Sequence, residues 1–410
     1  MKPSRMLLSA VLALFACSPP QLWSQQLFVR GVCYSPFRDG QSPATGVYPT
    51  RNQITEDMRI LRRYTSAVRF YGLGGTQSLI PDLARANGLQ CYAGAWIATG
   101  AAANATEIAA LKKIARARRA TAVVVGNEVL LRGSLPPGSL VSQITDVKSV
   151  SKVPVGYADT VAEWLSHPEV AEAVDFLLVH IYPYWDGSSD TGADYVRQQW
   201  EMVANAYPDK PVIIGETGWP TAGLVHGAAV PAPENQRAFL GNFTPMALEE
   251  GIPYFLFEAF DEAWKADTSG VEVEAHWGLF QSDRQLKPLL GDLFSNPQPM
   301  VDITQPAKRG AGALSHGTIA GRVYGIQKAE RKNYAVVVYA GTDKWYVQPS
   351  TVYPQTQIRA NFTWATSTHL GYEYLALLVR SSYQPPAIMY NVPSPGGDIL
   401  AVCRSQAQAK

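Results

Sequence analysis

Eight short apolar runs alternate with helical patterns between residues 28 and 262, and this alternation restricts the fold more than any other feature of the sequence. Several runs are almost continuously apolar, as parallel strands are when both faces of their sheet are buried. The runs cover residues 28–35, 67–72, 89–97, 122–128, 153–159, 175–184, 211–218 and 253–262. Helical patterns lie between them at residues 54–64, 77–87, 106–119, 140–149, 161–173, 195–207 and 234–250. This order predicts a closed (β/α)8 TIM barrel of the α/β class; an open dinucleotide-binding sheet is disfavoured because no Gly-x-Gly-x-x-Gly turn follows the first run.

A change of composition after residue 290 predicts a second folded unit. Pro residues at 297 and 299 and a stretch rich in Gly and Ala at 307–312 are typical of a linker. Beyond residue 318 the pattern is of β type and shows no convincing helix, with runs at 319–324, 334–340, 345–347, 357–364 and 374–379. We therefore predict a barrel domain over residues 27–295, a linker over 296–315 and a small all-β, sandwich-like domain over 316–410.

The first 25 residues predict export from the cytoplasm. Basic residues at positions 2 and 5 precede an apolar run at 6–16, and a polar turn follows at 18–20, which is the pattern of a signal peptide. The tetrapeptide Leu-Phe-Ala-Cys that ends at Cys17 is similar to a bacterial lipoprotein cleavage box, so Cys17 is a candidate lipid anchor. We expect a protein that is extracellular, periplasmic or lipid-anchored at the cell envelope.

Charge and cysteine content narrow the choice of partners. The 35 basic and 34 acidic residues form no long run of either sign, which argues against nucleic acid and favours an uncharged partner such as a sugar polymer. Without Cys17 the cysteines are Cys33, Cys91 and Cys403, an odd number at wide spacing that predicts neither a disulfide framework nor a metal site. We expect buried thiols in Cys33 and Cys91, no cofactor, and no particular protein partner.

Two glutamates end apolar runs at positions where a parallel barrel gathers its active-site residues. Glu128 ends the fourth run and Glu216 lies near the end of the seventh. A single glutamate of this kind often caps a helix or pairs with an arginine. A pair meets the requirement of glycoside cleavage for one carboxyl group that protonates the leaving oxygen and one that stabilises or attacks the anomeric carbon.

The chain resembles glycoside hydrolase family 17, which contains β-1,3-glucanases and related transglucosylases, over about residues 31–290. The resemblance rests on six motifs in order along the chain. They are Gly-Val-Cys-Tyr at 31–34, Val-Arg-Phe-Tyr at 68–71, Gly-Asn-Glu at 126–128, Gly-Glu-Thr-Gly-Trp-Pro at 215–220, Phe-Asp-Glu-Ala-Trp-Lys at 260–265 and Trp-Gly-Leu-Phe at 277–280. The segments at 129–133 and 182–186 differ from the plant pattern and look closer to bacterial members, so the acceptor of the cleaved unit, water or sugar, stays open.

The resemblance implies roles for individual residues. Glu128 is implied as acid/base and Glu216 as nucleophile of a retaining mechanism, in which the pKa of the acid must be raised and the charge of Glu216 would contribute to that. Asn127 is implied as a donor to the substrate 2-hydroxyl, while Glu262 and Lys265 match residues near the family's site, with a surface ion pair as the alternative. The remaining implied substrate-binding residues are Tyr34, Arg69, Tyr71, Tyr182 and Trp219.

Aromatic residues at strand ends either stack on sugar rings or fill the core, and the sequence alone does not separate these roles. Tyr34, Tyr182 and Trp219 are preferred for stacking over other strand-end residues such as Trp96 because they lie beside polar residues or turn formers. His180 is assigned no catalytic role, since it lies in an apolar run. In the second domain, core packing is favoured over a sugar-binding face for Trp345, Tyr346, Tyr353, Trp364, Tyr372 and Tyr374.

The sequence therefore predicts a retaining glycosidase that cleaves β-1,3-glucan, of the glucan endo-1,3-β-glucosidase type. A β-1,3-glucan transglucosylase that uses the same site is the main alternative. A glucan-binding protein without turnover is disfavoured, because it has no reason to keep both carboxylates.

Overall fold

The computed structural model of the chain describes residues 29–191, 193–294, 299–310, 315–324, 326 and 329–407. The predicted export signal and Cys17 lie outside these residues, so both stay predictions. Within the described part of the chain, no helix has the length and apolar character needed to cross a membrane.

A closed barrel of eight parallel strands forms the first domain, and its strands follow one another in sequence order around the barrel. This confirms the predicted fold class. The strands are β1 Val29–Cys33, β2 Thr65–Phe70, β3 Gln90–Ala95, β4 Ala122–Asn127, β5 Val155–Thr160, β6 Phe176–His180, β7 Val212–Thr217 and β8 Tyr254–Leu256.

Each predicted helical interval contains a helix, and the helices Ala263–Ser269 and Gly291–Phe294 lie outside those intervals. The interval 77–87 is divided between a 3-10 turn and an α-helix. The helix predicted over residues 161–173 is divided in two at His167, because Pro168 occupies the first turn of the second helix and restricts the residue before it. The α-helices of this domain are α1 Arg51–Leu61, α2 Ile80–Ala86, α3 Ala101–Arg116, α4 Pro137–Lys148, α5 Val161–Ser166, α6 Pro168–Ala173, α7 Asp194–Ala206, α8 Pro233–Glu249, α9 Ala263–Ser269 and α10 Gly291–Phe294. Short 3-10 turns lie at Gly75–Leu79, Glu272–Ala275 and Pro288–Leu290.

The barrel interior is filled by side chains of unequal size. Cys33, Ala67 and Ala158 leave room there for the rings of Phe176 and Phe255. Burial raises the pKa of Cys33 to about 12, so the thiol behaves as a small apolar group. Cys33, Cys91 and Cys403 are all buried and unpaired, as expected.

The second domain packs two antiparallel sheets against each other and thus confirms the predicted all-β class. One sheet has the order β14-β10-β9, and the other has the order β16-β12-β11-β15-β17 with β13 paired to β11. The strands are β9 Met300–Gln305, β10 His316–Tyr324, β11 Tyr334–Gly341, β12 Trp345–Gln348, β13 Gln355–Gln357, β14 Thr363–His369, β15 Glu373–Arg380, β16 Ile388–Met389 and β17 Ile399–Gln406. A 3-10 turn lies at Arg331–Asn333.

Strand β9 corrects part of the predicted linker over 296–315. It pairs antiparallel with β10, and Val301 and Ile303 point into the core between the sheets. The strand alternates apolar and polar residues over a short length beside a proline-rich segment, so the sequence pattern alone favours a linker. The run predicted over 357–364 is likewise divided between β13 and β14.

Core packing, the favoured interpretation, accounts for half of the aromatic residues singled out in the second domain. Trp345, Trp364 and Tyr374 are buried. Tyr353 and Tyr372 are exposed and Tyr346 is half-buried, so these three lie at the surface.

The β domain packs against the amino-terminal end of the barrel. Arg30, at the start of β1, donates from Nη2 to Cys403 Sγ at 2.9 Å, and Nη2 lies 3.7 Å from Asp302 Oδ1. Gln90, at the start of β3, donates from Nε2 to the carbonyl oxygen of Thr304 at 3.3 Å. Because the carboxyl ends of the strands lie at the other end, this domain leaves that end of the barrel open.

Replacing Arg30 tests how strongly the two domains depend on this contact. Arg30→Met should lower the free energy of unfolding by about 2–3 kcal/mol, since Asp302 then keeps a mostly buried charge without its partner. The measurement is urea unfolding at neutral pH. In the control Arg85→Met, which removes the exposed Arg85–Asp82 pair, the loss should stay below about 0.5 kcal/mol. Equal effects of the two substitutions would contradict the role given to Arg30.

Candidate active site

Two glutamates meet at the open, carboxyl-terminal end of the barrel. β4 is irregular against β5 between Val124 and Asn127, directly before Glu128. β7 is irregular against both of its neighbours, and the shift against β6 brings Glu216 opposite His180. Such bulges change the direction in which a side chain points and are frequent beside active sites. Here they turn both carboxylates toward one another.

The backbone at the end of β4 is held in an unusual conformation. Gly126 has φ +91°, and a Cβ atom at this position would lie 2.5 Å from Val129 Cγ2. Glu128 has φ +50°, in the left-handed region that residues with a side chain seldom occupy. Its N–H group donates to the carbonyl oxygen of Ala158 at 2.8 Å, which fixes the turn. Backbone strain of this kind is typical of functional sites.

Glu128, His180 and Glu216 form one cluster. One side-chain oxygen or nitrogen of each residue lies within 4.8 Å of those of the other two. The Glu216 side chain is 5% exposed and that of Glu128 is 24% exposed, so the pair sits at the boundary between the barrel interior and solvent. The two carboxylates thus lie close enough to act on one bond, as glycoside cleavage requires.

His180 lies between the two carboxylates. Its Nδ1 is 2.6 Å from Glu128 Oε1, and its Nε2 is 3.2 Å from Arg69 Nη1. Because the ionised carboxylate of Glu128 only accepts, Nδ1 carries the proton of this hydrogen bond and donates it to Glu128. Nε2 also lies 3.3 Å from Glu216 Oε1.

Arg69, on β2, is the cation at the centre of the site. Nη1 donates to the carbonyl oxygen of Gly215 at 2.8 Å and to Glu216 Oε1 at 2.9 Å. Nη2 donates to Asn127 Oδ1. The side chain is 1% exposed, so it orients Glu216 and Asn127 from below and corrects the prediction that Arg69 contacts substrate. The ring of Tyr71 lies 4.9 Å from the guanidinium carbon and so also acts as support.

The second oxygen of Glu216 is bound by Tyr182. The phenol donates to Oε2 at 2.6 Å, and its ring packs edge-on against Trp277, with 5.1 Å between ring centroids. Both oxygens of Glu216 thus accept a hydrogen bond from a side chain whose position is fixed by packing. Tyr182 therefore belongs to the site, as the sequence predicted, with its hydroxyl on the carboxylate.

The neighbours of Glu128 determine its pKa. Burial acts to raise the pKa of Glu128, but the hydrogen bond from His180 and the positive charges of Arg69 and Arg132 outweigh it and lower the pKa below its usual value. The raised pKa required of the acid applies when a sugar is bound and stays a prediction; without substrate the donors around Glu128 keep its pKa low.

The cluster of two carboxylates and one imidazole has the composition of a metal site, but its centre already holds a cation. Arg69 Nη1 contacts both Glu216 Oε1 and His180 Nε2. A metal ion bound to these same atoms would have to displace the guanidinium group from a buried position.

A second group of charges lies at the end of β8 and in the loop after it. Lys265 Nζ pairs with Glu258 Oε2 and lies 3.0 Å from Glu262 Oε2. Burial raises the pKa of Glu258 well above its usual range, against the opposing charge of Lys265. Among the described residues, Glu262 and Lys265 make no hydrogen bond or ion pair with Glu128 or Glu216. The pair is buried and thus is not the surface ion pair considered as the alternative, but it does not hold the carboxylates either.

Two aromatic residues predicted to stack on sugars are core residues. Tyr34 is fully buried, and its hydroxyl donates to Asp57 Oδ2 at 2.9 Å. Trp219 is 1% exposed, and its Nε1 donates to the carbonyl oxygen of Val230 at 2.9 Å. Neither ring is accessible to a ligand. Their strand-end positions favoured stacking on sugars, but both rings pack in the main hydrophobic core.

Sequence reasoning missed His180 and Glu258. His180 was assigned to the core because its neighbours along β6 are apolar. The available signal was its place two residues before Tyr182, since side chains two apart along an extended segment share a face. Glu258 lies inside an apolar run of the sequence. Only its ion pair with Lys265 in the folded protein shows that it belongs to a group of buried charges.

Comparison with known proteins places the chain in a family. Residues 31–278 match the model of the BtgE/BtgC glycoside hydrolase domain. The chain belongs to this family. Membership confirms the resemblance that the six motifs indicated, and the matched residues contain every strand of the barrel from β2 to β8.

Relatives match over the barrel. A putative glucan endo-1,3-β-glucosidase of Aspergillus niger is 32% identical over 63% of this chain, which spans only 42% of that protein. A glucan 1,3-β-glucosidase of Saccharomyces cerevisiae is 31% identical over 63% of this chain and 88% of its own length. The crystal structure of the family 17 β-1,3-glucanosyltransferase of Rhizomucor miehei has a TM-score of 0.57 at 31% identity, and covers 64% of this chain and 96% of its own.

The lowered pKa of Glu128 gives a testable pH dependence. Because the pKa is lower in the folded protein than in the unfolded chain, ionised Glu128 stabilises the fold above the usual glutamate pKa of about 4.3, and this stabilisation is lost as the pH falls through the lowered value. His180→Ala should raise the pKa of Glu128 and so weaken the dependence of the unfolding free energy on pH below about pH 5. Urea unfolding between pH 3 and pH 7 measures it.

The control is the same histidine substitution in a Glu128→Gln background. There it should leave the shape of the pH dependence unchanged, since the coupled carboxyl group is gone. A change of equal size in both backgrounds would show that His180 acts through another group.

Proposed function

We propose that this protein cleaves β-1,3-glucan with retention of configuration, through a covalent glucosyl-enzyme on Glu216. The observation that carries the proposal is the pair of strand-end carboxylates with oxygens within 4.8 Å, one of them bound by Arg69 and Tyr182. Such a close approach favours retention over inversion, for which the two carboxyl groups stand about 6.5–9.5 Å apart.

In the first step, Glu216 attacks the anomeric carbon while Glu128 gives its proton to the glycosidic oxygen. The bond between the anomeric carbon and that oxygen breaks, and the leaving sugar departs as an alcohol. Arg69 and Tyr182 hold Glu216 in position, so its attack requires little reorganisation of the site. Asn127 supports this step with its amide, because Arg69 binds Oδ1 and leaves Nδ2 to donate to the 2-hydroxyl of the sugar.

In the second step, an acceptor hydroxyl attacks the anomeric carbon and passes its proton to Glu128. The bond to Glu216 breaks, and both carboxyl groups return to their starting states. His180 assists here, because its hydrogen bond to Glu128 stabilises the ionised form that must accept the proton. In the first step Glu128 must be protonated, and the same hydrogen bond favours its ionised form. We therefore expect substrate binding to weaken the hydrogen bond between His180 and Glu128.

The choice of β-1,3-glucan rests on the relatives. The Aspergillus niger and Saccharomyces cerevisiae proteins are named for glucosidase action on 1,3-β-glucan, and the active-site mutant of the Rhizomucor miehei enzyme was solved with laminaritriose.

Transfer to a second glucan chain is the competing function. The Rhizomucor miehei relative is a glucanosyltransferase. Hydrolysis and transfer share the first step and differ only in whether water or a sugar hydroxyl reaches the glucosyl-enzyme. Incubation with laminari-oligosaccharides separates them, since hydrolysis gives only shorter chains while transfer also gives longer ones.

Azide rescue tests the two catalytic roles separately. Glu128→Ala and Glu216→Ala should each lower turnover of an unactivated glucan at least about 1,000-fold, because each removes a group required in the first step. With a dinitrophenyl β-laminarioside, azide should restore activity to both variants. Glu128→Ala should release the β-glycosyl azide, and Glu216→Ala should release the α-azide, which NMR of the product distinguishes.

Glu163→Ala, on the outer helix α5, is the matched control and should keep wild-type rates. Circular dichroism checks that each variant is folded. Near-normal turnover by either active-site variant, or the same azide anomer from both, would falsify the assignment.

We further propose that the protein is exported and acts at or beyond the cell envelope, where a β-glucan polymer is accessible. The proposal rests on the signal-like segment at residues 1–25. Amino-terminal sequencing of the protein from its source would test it: cleavage before Cys17 supports lipidation, cleavage near residue 25 supports secretion, and an intact Met1 contradicts both.

A further inference from the structure

Trp96 presents an indole ring at the open end of the barrel. It directly follows β3 and is 44% exposed, whereas Tyr34 and Trp219 at comparable strand ends are buried. The ring is therefore available to a ligand at the end of the barrel that holds Glu128 and Glu216.

The backbone around Trp96 is fixed by two side chains of helix α3. Glu107 accepts the N–H of Trp96 at 3.0 Å and, on the same oxygen, the N–H of Leu73 at 2.9 Å, and thereby ties the loops after β3 and β2 together. Asn104 accepts the N–H of Ala98 at 2.9 Å and donates to its carbonyl oxygen at 2.6 Å. The loop therefore holds the indole in place before any ligand arrives, which lowers the entropy cost of binding.

One face of the indole is covered by Arg132. The guanidinium carbon lies 4.5 Å from the ring centroid. Nη2 donates to the carbonyl oxygens of Asn127 at 2.7 Å and of Ile97 at 2.8 Å, so the guanidinium group is itself fixed. A cation over one face leaves the other face for a ligand, and the apolar C–H face of a pyranose ring suits an aromatic surface of this kind.

Arg132 also places this ring beside the acid/base residue. It lies one turn after Glu128, and its N–H donates to the carbonyl oxygen of Glu128 at 3.0 Å. β3 and β4 are neighbours in the barrel, so Trp96 lies beside Glu128. The glycosidic oxygen that Glu128 protonates joins the glucosyl unit on Glu216 to the leaving sugar, and it lies on the face of the anomeric carbon opposite the attacking carboxylate. A ring beside Glu128 is therefore placed near the leaving sugar and, in the second step, near the incoming one.

We infer that Trp96, supported by Arg132 and Glu107, forms the subsite that binds the leaving and acceptor glucosyl unit. The inference rests on the proposed function and adds the side of the cleaved bond to which this residue belongs. A sugar acceptor can stack on Trp96, whereas water gains nothing from the ring. Trp96 should therefore favour transfer over hydrolysis.

The experiment measures acceptor use alone. With dinitrophenyl β-laminaribioside as donor, the leaving group departs readily, and the glucosyl-enzyme is divided between water and added laminaritriose. Trp96→Ala should raise the laminaritriose concentration for half-maximal transfer about tenfold, because one aromatic stacking contact is lost; transfer is expressed relative to the variant's own dinitrophenol release without acceptor. Trp96→Phe should retain part of the transfer. Tyr353→Ala, which removes an aromatic residue that is 76% exposed in the β domain, is the matched control and should behave as the wild type.

Each outcome decides the inference. Unchanged acceptor dependence in Trp96→Ala overturns it, and so does a wild-type enzyme that hydrolyses the donor but transfers to laminaritriose at no concentration. A variant that loses dinitrophenol release while the acceptor dependence is unchanged places Trp96 on the donor side and also overturns it. Failure of the proposed function is distinguishable, because the wild-type enzyme then releases no dinitrophenol.

Discussion

The buried guanidinium group of Arg69 is the interaction on which the site depends. A cation that is 1% exposed is stable only when its donors find acceptors, and Arg69 finds them on two other strands at once: the carbonyl oxygen of Gly215, Glu216 Oε1 and Asn127 Oδ1. Because these acceptors lie on β4 and β7 while Arg69 lies on β2, one side chain ties together strands from different sides of the barrel. It also fixes which amide atom Asn127 turns toward a substrate.

From this centre a chain of polar contacts reaches both carboxylates. Arg69 donates to Glu216 and contacts Nε2 of His180, and His180 donates to Glu128. Each carboxylate is therefore held by a donor. Glu128 is the more exposed of the two, and the donors around it lower its pKa, so the proposed acid must exchange its partner when substrate enters.

The two ends of the barrel have separate tasks. The carboxyl-terminal end holds the carboxylates and the tyrosine on Glu216. The amino-terminal end is covered by the β domain through Arg30 and Gln90, and the buried thiol of Cys403 contacts Arg30. The β domain therefore lies at the end remote from the proposed chemistry.

The sequence by itself determined the barrel, because eight apolar runs of parallel-strand character in regular alternation with helices have one closed arrangement, and it placed Glu128 and Glu216 at the ends of two of them. Those conclusions depend on periodicity and position, which are local. Only the tertiary structure decided where side chains at the strand ends point: Trp219 and Tyr34 into the core, Trp96 into solvent, and His180 between two carboxylates. That direction depends on the bulges in β4 and β7 and on partners far apart in the chain, as with Arg69 and Glu216. For the same reason β9 looked like a linker until its pairing with β10 showed its buried face.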